Sequence, residues 1–169
     1  MRRFILPVWC LALFLASCAT IPSEFVSQVD PNLTLVDAKH APDQWRGKVF
    51  LLGGTVNGRT DLPDGTRLRI HEHQVDVQSR PYREGPSEGD FWVMVRPPVN
   101  SAPYQVGQGV TLVGRLTGVE PAPGGPPLPS FDALYLRAWN PSDLPGSVGM
   151  DPRFHDANPS CQKVIGTGC

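Results

Sequence analysis

The chain has 169 residues, which is enough for one domain and too few for a second independent hydrophobic core. Its 15 Lys and Arg side chains are balanced by 16 Asp and Glu side chains, so the formal net charge is -1. A domain that binds nucleic acid needs a strongly basic groove or patch. We therefore expect no nucleic acid partner.

The first 17 residues have the layout of a secretory signal peptide. Arg2 and Arg3 precede an apolar run at residues 4–16, and small residues end that run. The run is too short for a permanent span, because the core of a bilayer requires about 20 apolar helical residues. We predict cleavage after Ser17, which removes both arginines and leaves 13 basic against 16 acidic side chains.

The sequence Leu-Ala-Ser-Cys at residues 15–18 resembles the lipobox of bacterial lipoproteins. The resemblance implies a thioether-linked diacylglycerol on Cys18, cleavage before that residue and acylation of the new amino terminus. One acyl chain holds a protein only marginally, whereas several chains anchor it stably. We therefore expect a membrane partner engaged through covalent lipid, and no other cofactor. Ala19 and Thr20 replace the aspartate that retains enteric lipoproteins at the inner membrane, so the resemblance favours the outer membrane, with the domain facing the periplasm.

Two more cysteines remain after cleavage and lipidation. Cys10 leaves with the signal peptide, so Cys161 and Cys169 are free to pair. In an oxidising periplasm they predict a disulfide that closes a small loop. The alternative is two unlinked thiols near the end of the chain, and both interpretations stay open.

Proline-rich segments flank the predicted domain. Residues 18–44 contain three prolines and predict an irregular spacer with one short strand at residues 33–36. The pattern then becomes apolar and alternating, so we place a β-barrel-like domain at residues 45–140. Residues 141–169 are again rich in Pro and Gly and predict an irregular tail.

The first predicted strand contains two adjacent glycines. Residues 47–57 are apolar on both faces, with Gly53 and Gly54 inside the run. Glycine inside a strand marks a bulge, a bend or a close backbone approach. The sequence Leu-Pro-Asp-Gly at 62–65 predicts a turn into the second strand, because proline fixes φ and glycine accepts a positive φ.

The second strand changes the parity of its apolar residues. Leu68 and Ile70 share one parity, whereas Val75 and Val77 share the other. A shift of one residue moves side chains to the opposite face of a strand. We therefore predict a bulge or bend at residues 71–74 that keeps both apolar pairs inward.

Three more strands are predicted, at residues 90–95, 110–119 and 131–139, and the Pro-rich segment 121–129 predicts a mobile loop. No segment combines a sustained helical period with capping residues, so helix content should be small. Five to six strands with glycine kinks predict an all-β domain of the OB-like or a related closed β-barrel type, because closure removes exposed strand edges. A β-sandwich is the alternative.

Several short segments, in order and at matching spacing, resemble the Slp (starvation-inducible) family of outer-membrane lipoproteins. They cover roughly residues 18–139 and are Cys18-Ala19-Thr20-Ile21-Pro22, Gly47-Lys48-Val49, Gly53-Gly54-Thr55-Val56, Thr66-Arg67-Leu68-Arg69-Ile70, Val75-Asp76, Ser79-Arg80-Pro81, Gly89-Asp90-Phe91, Tyr104-Gln105-Val106-Gly107 and Val110-Thr111-Leu112-Val113-Gly114. The resemblance implies an envelope lipoprotein linked to stress or stationary phase. The family supplies no established biochemical activity to carry over.

One cluster has the residue types of a metal site. His71 and His73 are two residues apart, so on a regular strand they face the same way and could share a divalent ion, with Asp76 or His155 as a third ligand. A periplasmic ligand- or metal-binding module is therefore an alternative function. The other interpretation is two solvent-facing histidines on a kinked strand.

The sequence contains no nucleophile elbow, zinc-protease helix or Walker loop, so we expect no enzymatic activity. Phe91 and Trp92 have opposite parity, and one of them could join Tyr82, Tyr104 and Trp139 in an exposed patch for an envelope protein, a glycan or a lipid. The alternative is that these rings fill the core. The sequence thus predicts a non-enzymatic outer-membrane lipoprotein with an envelope-maintenance or partner-binding role.

Overall fold

A computed structural model describes residues 21–82, 85–140 and 144. This part of the chain contains three short helices and five strands: α1 Ser23–Val26, α2 Leu35–His40, α3 Pro42–Trp45, β1 Val49–Leu62, β2 Gly65–His73, β3 Asp90–Val95, β4 Gly109–Ala122 and β5 Gly125–Trp139. None of the helices in these residues has the length and apolar content that a membrane span requires.

The five strands close into a barrel in the order β1-β2-β3-β5-β4, and β4 pairs back onto β1. Strands β3 and β5 run parallel, and the other neighbouring strands run antiparallel. The predicted turn lies between Leu62 and Gly65, which pair at the end of the first hairpin. The prediction of an all-β closed barrel is confirmed, with five strands.

Three phenylalanines form the centre of the barrel. Phe50, Phe91 and Phe131 are fully buried on β1, β3 and β5. The ring centroids of Phe131 lie 5.3 Å from Phe50 and 5.6 Å from Phe91, both in edge-to-face geometry. The other large, fully buried strand residues alternate along the inward faces of the strands, and they are Val56, Leu68, Ile70, Val93, Val95, Val110, Leu112 and Leu116.

The paired glycines of β1 mark a close backbone approach, as predicted. A Cβ on Gly54 would lie 2.6 Å from Cγ2 of Ile70, and closer still to the carbonyl oxygen of His71. Gly54 pairs with β2 on one side and with β4 on the other. The register shift of this hairpin occurs later in β1, between Val56 and Gly58.

The chain changes direction after His73, but the prediction that a bulge or bend at residues 71–74 keeps both apolar pairs inward is wrong. Strand β2 keeps a strict alternation of buried and half-buried residues to its end at His73, and the chain then leaves the sheet. Val77 is 95% exposed. The physical reason is that the Asp76 carboxylate accepts hydrogen bonds from backbone N–H groups two and four residues later, which closes a turn in place of a strand.

The mobile loop predicted at residues 121–129 is also wrong. β4 continues to Ala122, β5 begins at Gly125, and these two residues pair across a two-residue turn in which Gly124 has φ +71°. The prolines fit because β5 pairs with β3 only from Ser130 onward. Its earlier residues form an edge, where proline's missing N–H costs no ladder hydrogen bond.

The short strand predicted at residues 33–36 is replaced by helix α2. Thr34 and Asp37 form a capping box, in which Oδ2 of Asp37 accepts a 2.8 Å hydrogen bond from the Thr34 N–H. Leu35 and Ala38 of α2 are buried in the barrel core. The described part of the predicted spacer therefore packs on the domain, and helix content stays small as expected.

Candidate functional site

Several predicted features lie outside the described residues: the signal peptide at residues 1–17, the lipidation site Cys18, the cysteine pair Cys161 and Cys169, and His155. Leu144 is the described residue of the predicted tail. Its side chain is buried against Gly109 of β4.

The structure brings the two candidate metal-binding histidines together. His71 and His73 lie on the same side of β2, with ring centroids 5.4 Å apart. Each ring already contacts a neighbouring strand. Nδ1 of His71 lies 2.7 Å from Oδ1 of Asp90, and Nε2 of His73 lies 3.1 Å from the Thr55 hydroxyl.

Asp90 is the hub of the contacts around His71. Burial raises the pKa of this carboxyl, but hydrogen bonds from His71, Asn57 and Arg69 outweigh burial and hold the pKa below its usual range. Asp90 is therefore ionised at neutral pH. Its oxygens already accept hydrogen bonds from three neighbours, so they are poorly placed to coordinate a metal ion.

We expect the His71–His73 pair to bind zinc weakly. Protein zinc sites use three or four protein ligands. Within the part of the chain that the structure describes, no group of three His, Cys, Asp or Glu side chains could hold a metal ion. NMR of the histidine rings during a zinc titration should show no shift at sub-millimolar zinc. Shifts of both rings at lower zinc would favour the metal-binding module.

Glu72, between the two histidines, points the other way and is 6% exposed. Its Oε2 accepts a 2.7 Å hydrogen bond from the Glu88 N–H, and its own N–H donates to the Gly89 carbonyl at 2.9 Å. Burial raises the pKa of this carboxyl, and the nearby charge of Glu88 raises it further. Ionised Glu72 therefore costs folding free energy at neutral pH.

Replacing Glu72 with glutamine is expected to raise the free energy of unfolding near pH 7 by about 1 kcal/mol, because the amide oxygen still accepts the Glu88 N–H without a buried charge. A carboxyl whose pKa is raised in the folded state contributes stability at pH values below its unfolded-state pKa. That stability is lost as the pH rises through the folded-state pKa. Urea unfolding should therefore show no gain below about pH 4.3, the ordinary glutamate pKa. An equal gain in stability near pH 7 and below about pH 4.3 would contradict a raised pKa for Glu72. Glu24→Gln, at an exposed position, is the control.

The outer faces of β2 and β3 carry paired charges around a tryptophan. The guanidinium carbon of Arg67 lies 4.6 Å from the ring centroid of Trp92, and its Nη1 lies 3.2 Å from Oε2 of Glu120. Arg69 pairs with Asp90 at 2.6 Å. We call these five residues, Arg67, Arg69, Asp90, Trp92 and Glu120, the arginine–tryptophan face.

Two donors on this face have no hydrogen-bond partner. Nε of Arg67 and Nε1 of Trp92 are both buried, and neither finds an acceptor among the described residues. Leaving a buried donor unsatisfied costs about 1–3 kcal/mol. A partner that displaces the Arg67 side chain and offers carboxylate or carbonyl oxygens would recover that free energy. Sequence reasoning missed this site, although Arg67 and Arg69 alternate with inward-facing Leu68 and Ile70.

The exposed aromatic patch does not form, and the alternative of buried rings is the one observed. Phe91 and Tyr104 belong to the core, whereas Trp92 lies beneath Arg67 on the outer face. Trp92 is 7% exposed, and Tyr104 and Trp139 are buried as well. Burial raises the pKa of Tyr104 to about 12, and its hydroxyl donates to the Leu136 carbonyl at 2.5 Å. Tyr82 alone among the four proposed rings is exposed, at 38%.

Comparison with solved structures finds a small single-stranded DNA-binding protein from Streptomyces coelicolor. It is 18% identical, and the match covers 54% of this chain and 91% of that chain with a TM-score of 0.36. A similarity this low carries no argument about ligands. No curated protein matches the chain.

Comparison with protein families gives a match over most of the chain. The model of the outer membrane lipoprotein Slp family matches residues 15–143, which include Cys18, the whole barrel and the arginine–tryptophan face. This agrees with the short segments that resemble the family. The chain therefore belongs to the Slp family of outer membrane lipoproteins.

Proposed function

We propose that this protein is held on the outer membrane by lipid on Cys18, that its barrel faces the periplasm, and that it binds an envelope partner without catalysing a reaction. Family membership supports the outer-membrane location.

Only a short segment separates Cys18 from the part of the chain that packs on the barrel. Ile21 is buried against Val49 and Val113 on the outer wall of the barrel. Cys18 lies three residues earlier, and an extended chain spans at most about 3.6 Å per residue. Acyl chains on Cys18 would therefore enter the membrane within about 11 Å of the barrel wall. The lipid would hold the domain at the membrane surface.

The unsatisfied donors of Arg67 and Trp92 are the observation that carries the binding proposal. Glu120 pairs with Arg67 and Asp90 pairs with the neighbouring Arg69, so the face carries paired charges beside an aromatic ring. Tryptophan and arginine are the side chains that most often dominate the affinity of protein interfaces. We propose an envelope protein that offers acidic or carbonyl acceptors, and a glycan is the other partner class that the test distinguishes.

The engagement of the surface acids supports a role without catalysis. Asp90, Glu120 and Asp132 each contact an arginine, and Asp76 is held within its own turn. A catalytic acid or base needs a free position toward a substrate. The alternative function is a metal-binding module that uses His71 and His73, and the zinc titration distinguishes it from partner binding.

Photo-cross-linking tests the binding proposal directly. Met94 lies between Arg67 and Asp132 in the barrel wall, so a photoreactive residue there samples the arginine–tryptophan face. In intact cells it should give a discrete adduct, whereas the exposed Val106 position should not. Arg67→Met, which keeps the aliphatic cover over Trp92, should lower the yield several-fold, and exposed Arg46→Met should not.

The nature of the adduct identifies the partner class. Sensitivity to protease would support an envelope protein, and sensitivity to periodate with resistance to protease would indicate a glycan. No adduct at Met94, or equal adducts at Met94 and Val106, would contradict binding at this face.

A further inference from the structure

Val77 is presented to solvent by a tightly bonded turn. Asp76 Oδ1 accepts hydrogen bonds from the backbone N–H groups of Gln78 at 2.9 Å and Arg80 at 2.8 Å, and Oδ2 accepts one from Arg80 Nε at 2.8 Å. Ser79 takes a positive φ of 61°, and its carbonyl accepts the Thr111 hydroxyl of the barrel wall. The turn is therefore fixed to the barrel, and it projects an apolar side chain that the fold does not use.

The same turn borders an apolar groove. Val75 bridges to Pro81 at the base of the turn and lines a groove of about 400 Å³ with Val26, Leu33 and Leu51. The groove lies between the segment that contains α1 and the outer wall of β1. Val26 is 49% exposed at its rim. Val77 follows the groove residue Val75 by two positions, and we call the groove together with this turn the groove–turn surface.

The described chain begins beside this surface, three residues after the proposed lipidation site Cys18. Ile21, two residues before α1, packs in the same outer cluster as Phe25, Val29 and Leu51. Val29 and Leu51 also line the groove. Cys18 is three residues before Ile21, so a lipid attached to it would begin within about 11 Å of that cluster.

We infer that the groove–turn surface docks on the membrane surface that holds the Cys18 lipid, with Val77 and the exposed part of Val26 in contact with the acyl region. This inference rests on the proposed lipidation of Cys18. Apolar side chains on a rigid scaffold gain free energy when they leave water for a lipid interface. The short connection from Ile21 keeps the lipid bilayer against this side of the barrel, so membrane lipid is the occupant that the geometry favours.

In this orientation the turn between β1 and β2 lies far from the lipid. Gly53 contacts Val75 beside the groove, and the turn that contains Asp64 follows nine residues later along β1. At about 3.3 Å per residue this places the turn roughly 30 Å along the strand from the groove. Asp64 is exposed and gives a control position in water.

Fluorescence in vesicles tests the docking. The full lipoprotein with Cys161→Ser and Cys169→Ser would carry either Val77→Cys or Asp64→Cys, labelled with an environment-sensitive fluorophore. It would be reconstituted in vesicles of phosphatidylethanolamine and phosphatidylglycerol that contain a lipid-linked quencher. We expect a blue-shifted spectrum and several-fold stronger quenching for the label at position 77 than for the label at position 64.

The possible outcomes are distinct. Equal quenching at the two positions, in protein that floats with the vesicles and carries an acylated Cys18 by mass spectrometry, would overturn docking and leave the anchor in place. A label at position 77 that is shielded only by a periplasmic protein would also overturn the inference. Protein that fails to float and whose Cys18 reacts with a thiol reagent would overturn both the anchor and the docking.

Discussion

Replacing Phe131 with alanine is expected to lower the free energy of unfolding by about 3–5 kcal/mol. Phe131 is fully buried, and its ring packs edge-to-face on both Phe50 and Phe91. It also lies at the point where β5 pairs with Val93 of β3 and Leu116 of β4. The cavity that remains would therefore remove core contacts of β5 with β1, β3 and β4.

This loss is a large share of the total stability, because domains of this size are stable by only about 5–15 kcal/mol. Urea unfolding in the Cys18→Ser background would measure it, with exposed Val119→Ala as the control, for which we expect a change below about 0.5 kcal/mol. A loss for Phe131→Ala as small as that of the control would contradict the described core.

Replacing Gly54 with alanine is expected to destabilise the barrel by more than about 3 kcal/mol, or to prevent folding. A methyl group here would overlap Ile70 and the His71 carbonyl oxygen, and neither β2 nor β4 can move away without breaking a ladder. Strand β1 is held on both sides, so the strain has no exposed edge on which to relax.

Gly125→Ala is the matched control for Gly54→Ala. A Cβ on Gly125 meets nothing within 4 Å, and its φ lies outside the left-handed region. We expect a change within about 0.5 kcal/mol for this variant. Circular dichroism and urea unfolding of the two variants would provide the comparison, and similar midpoints for both would mean that the close approach at Gly54 is wrong.

The barrel could be predicted from the sequence because the apolar residues alternate along its strands. β3 was predicted with its observed bounds, Asp90–Val95, since Pro97 follows the apolar run closely and ends it. The two glycines of β1 also indicated the close contact of Gly54 with β2. These signals are local, so one sequence is enough to interpret them.

At three places another local feature of the sequence led to a wrong prediction. Residues 33–36 have the composition of a strand, but the capping box from Thr34 to Asp37 favours the first turn of a helix. The prolines of residues 121–129 suggested a loop, although an edge strand tolerates them. Val77 was expected inside, but the hydrogen bonds of Asp76 end the sheet before it.

The candidate site could not be predicted because its members are distant in sequence. Glu120 is 53 residues from Arg67, and Trp92 reaches the same place from a third strand. Alternation alone shows that Arg67 and Arg69 face outward. It does not show which side chains cover Trp92, or that two donors remain unsatisfied beneath them.

A Cys18→Ser variant tests whether lipid on Cys18 holds the barrel against the outer membrane. Cells that express the parent or the variant would be grown with a labelled fatty acid and fractionated. We expect the parent to carry the acyl label and to sediment with outer membranes, and the variant to be unlabelled and soluble in the periplasm. A variant that still sediments with the outer membrane, beside a parent that carries no acyl label, would show that Cys18 does not anchor the protein.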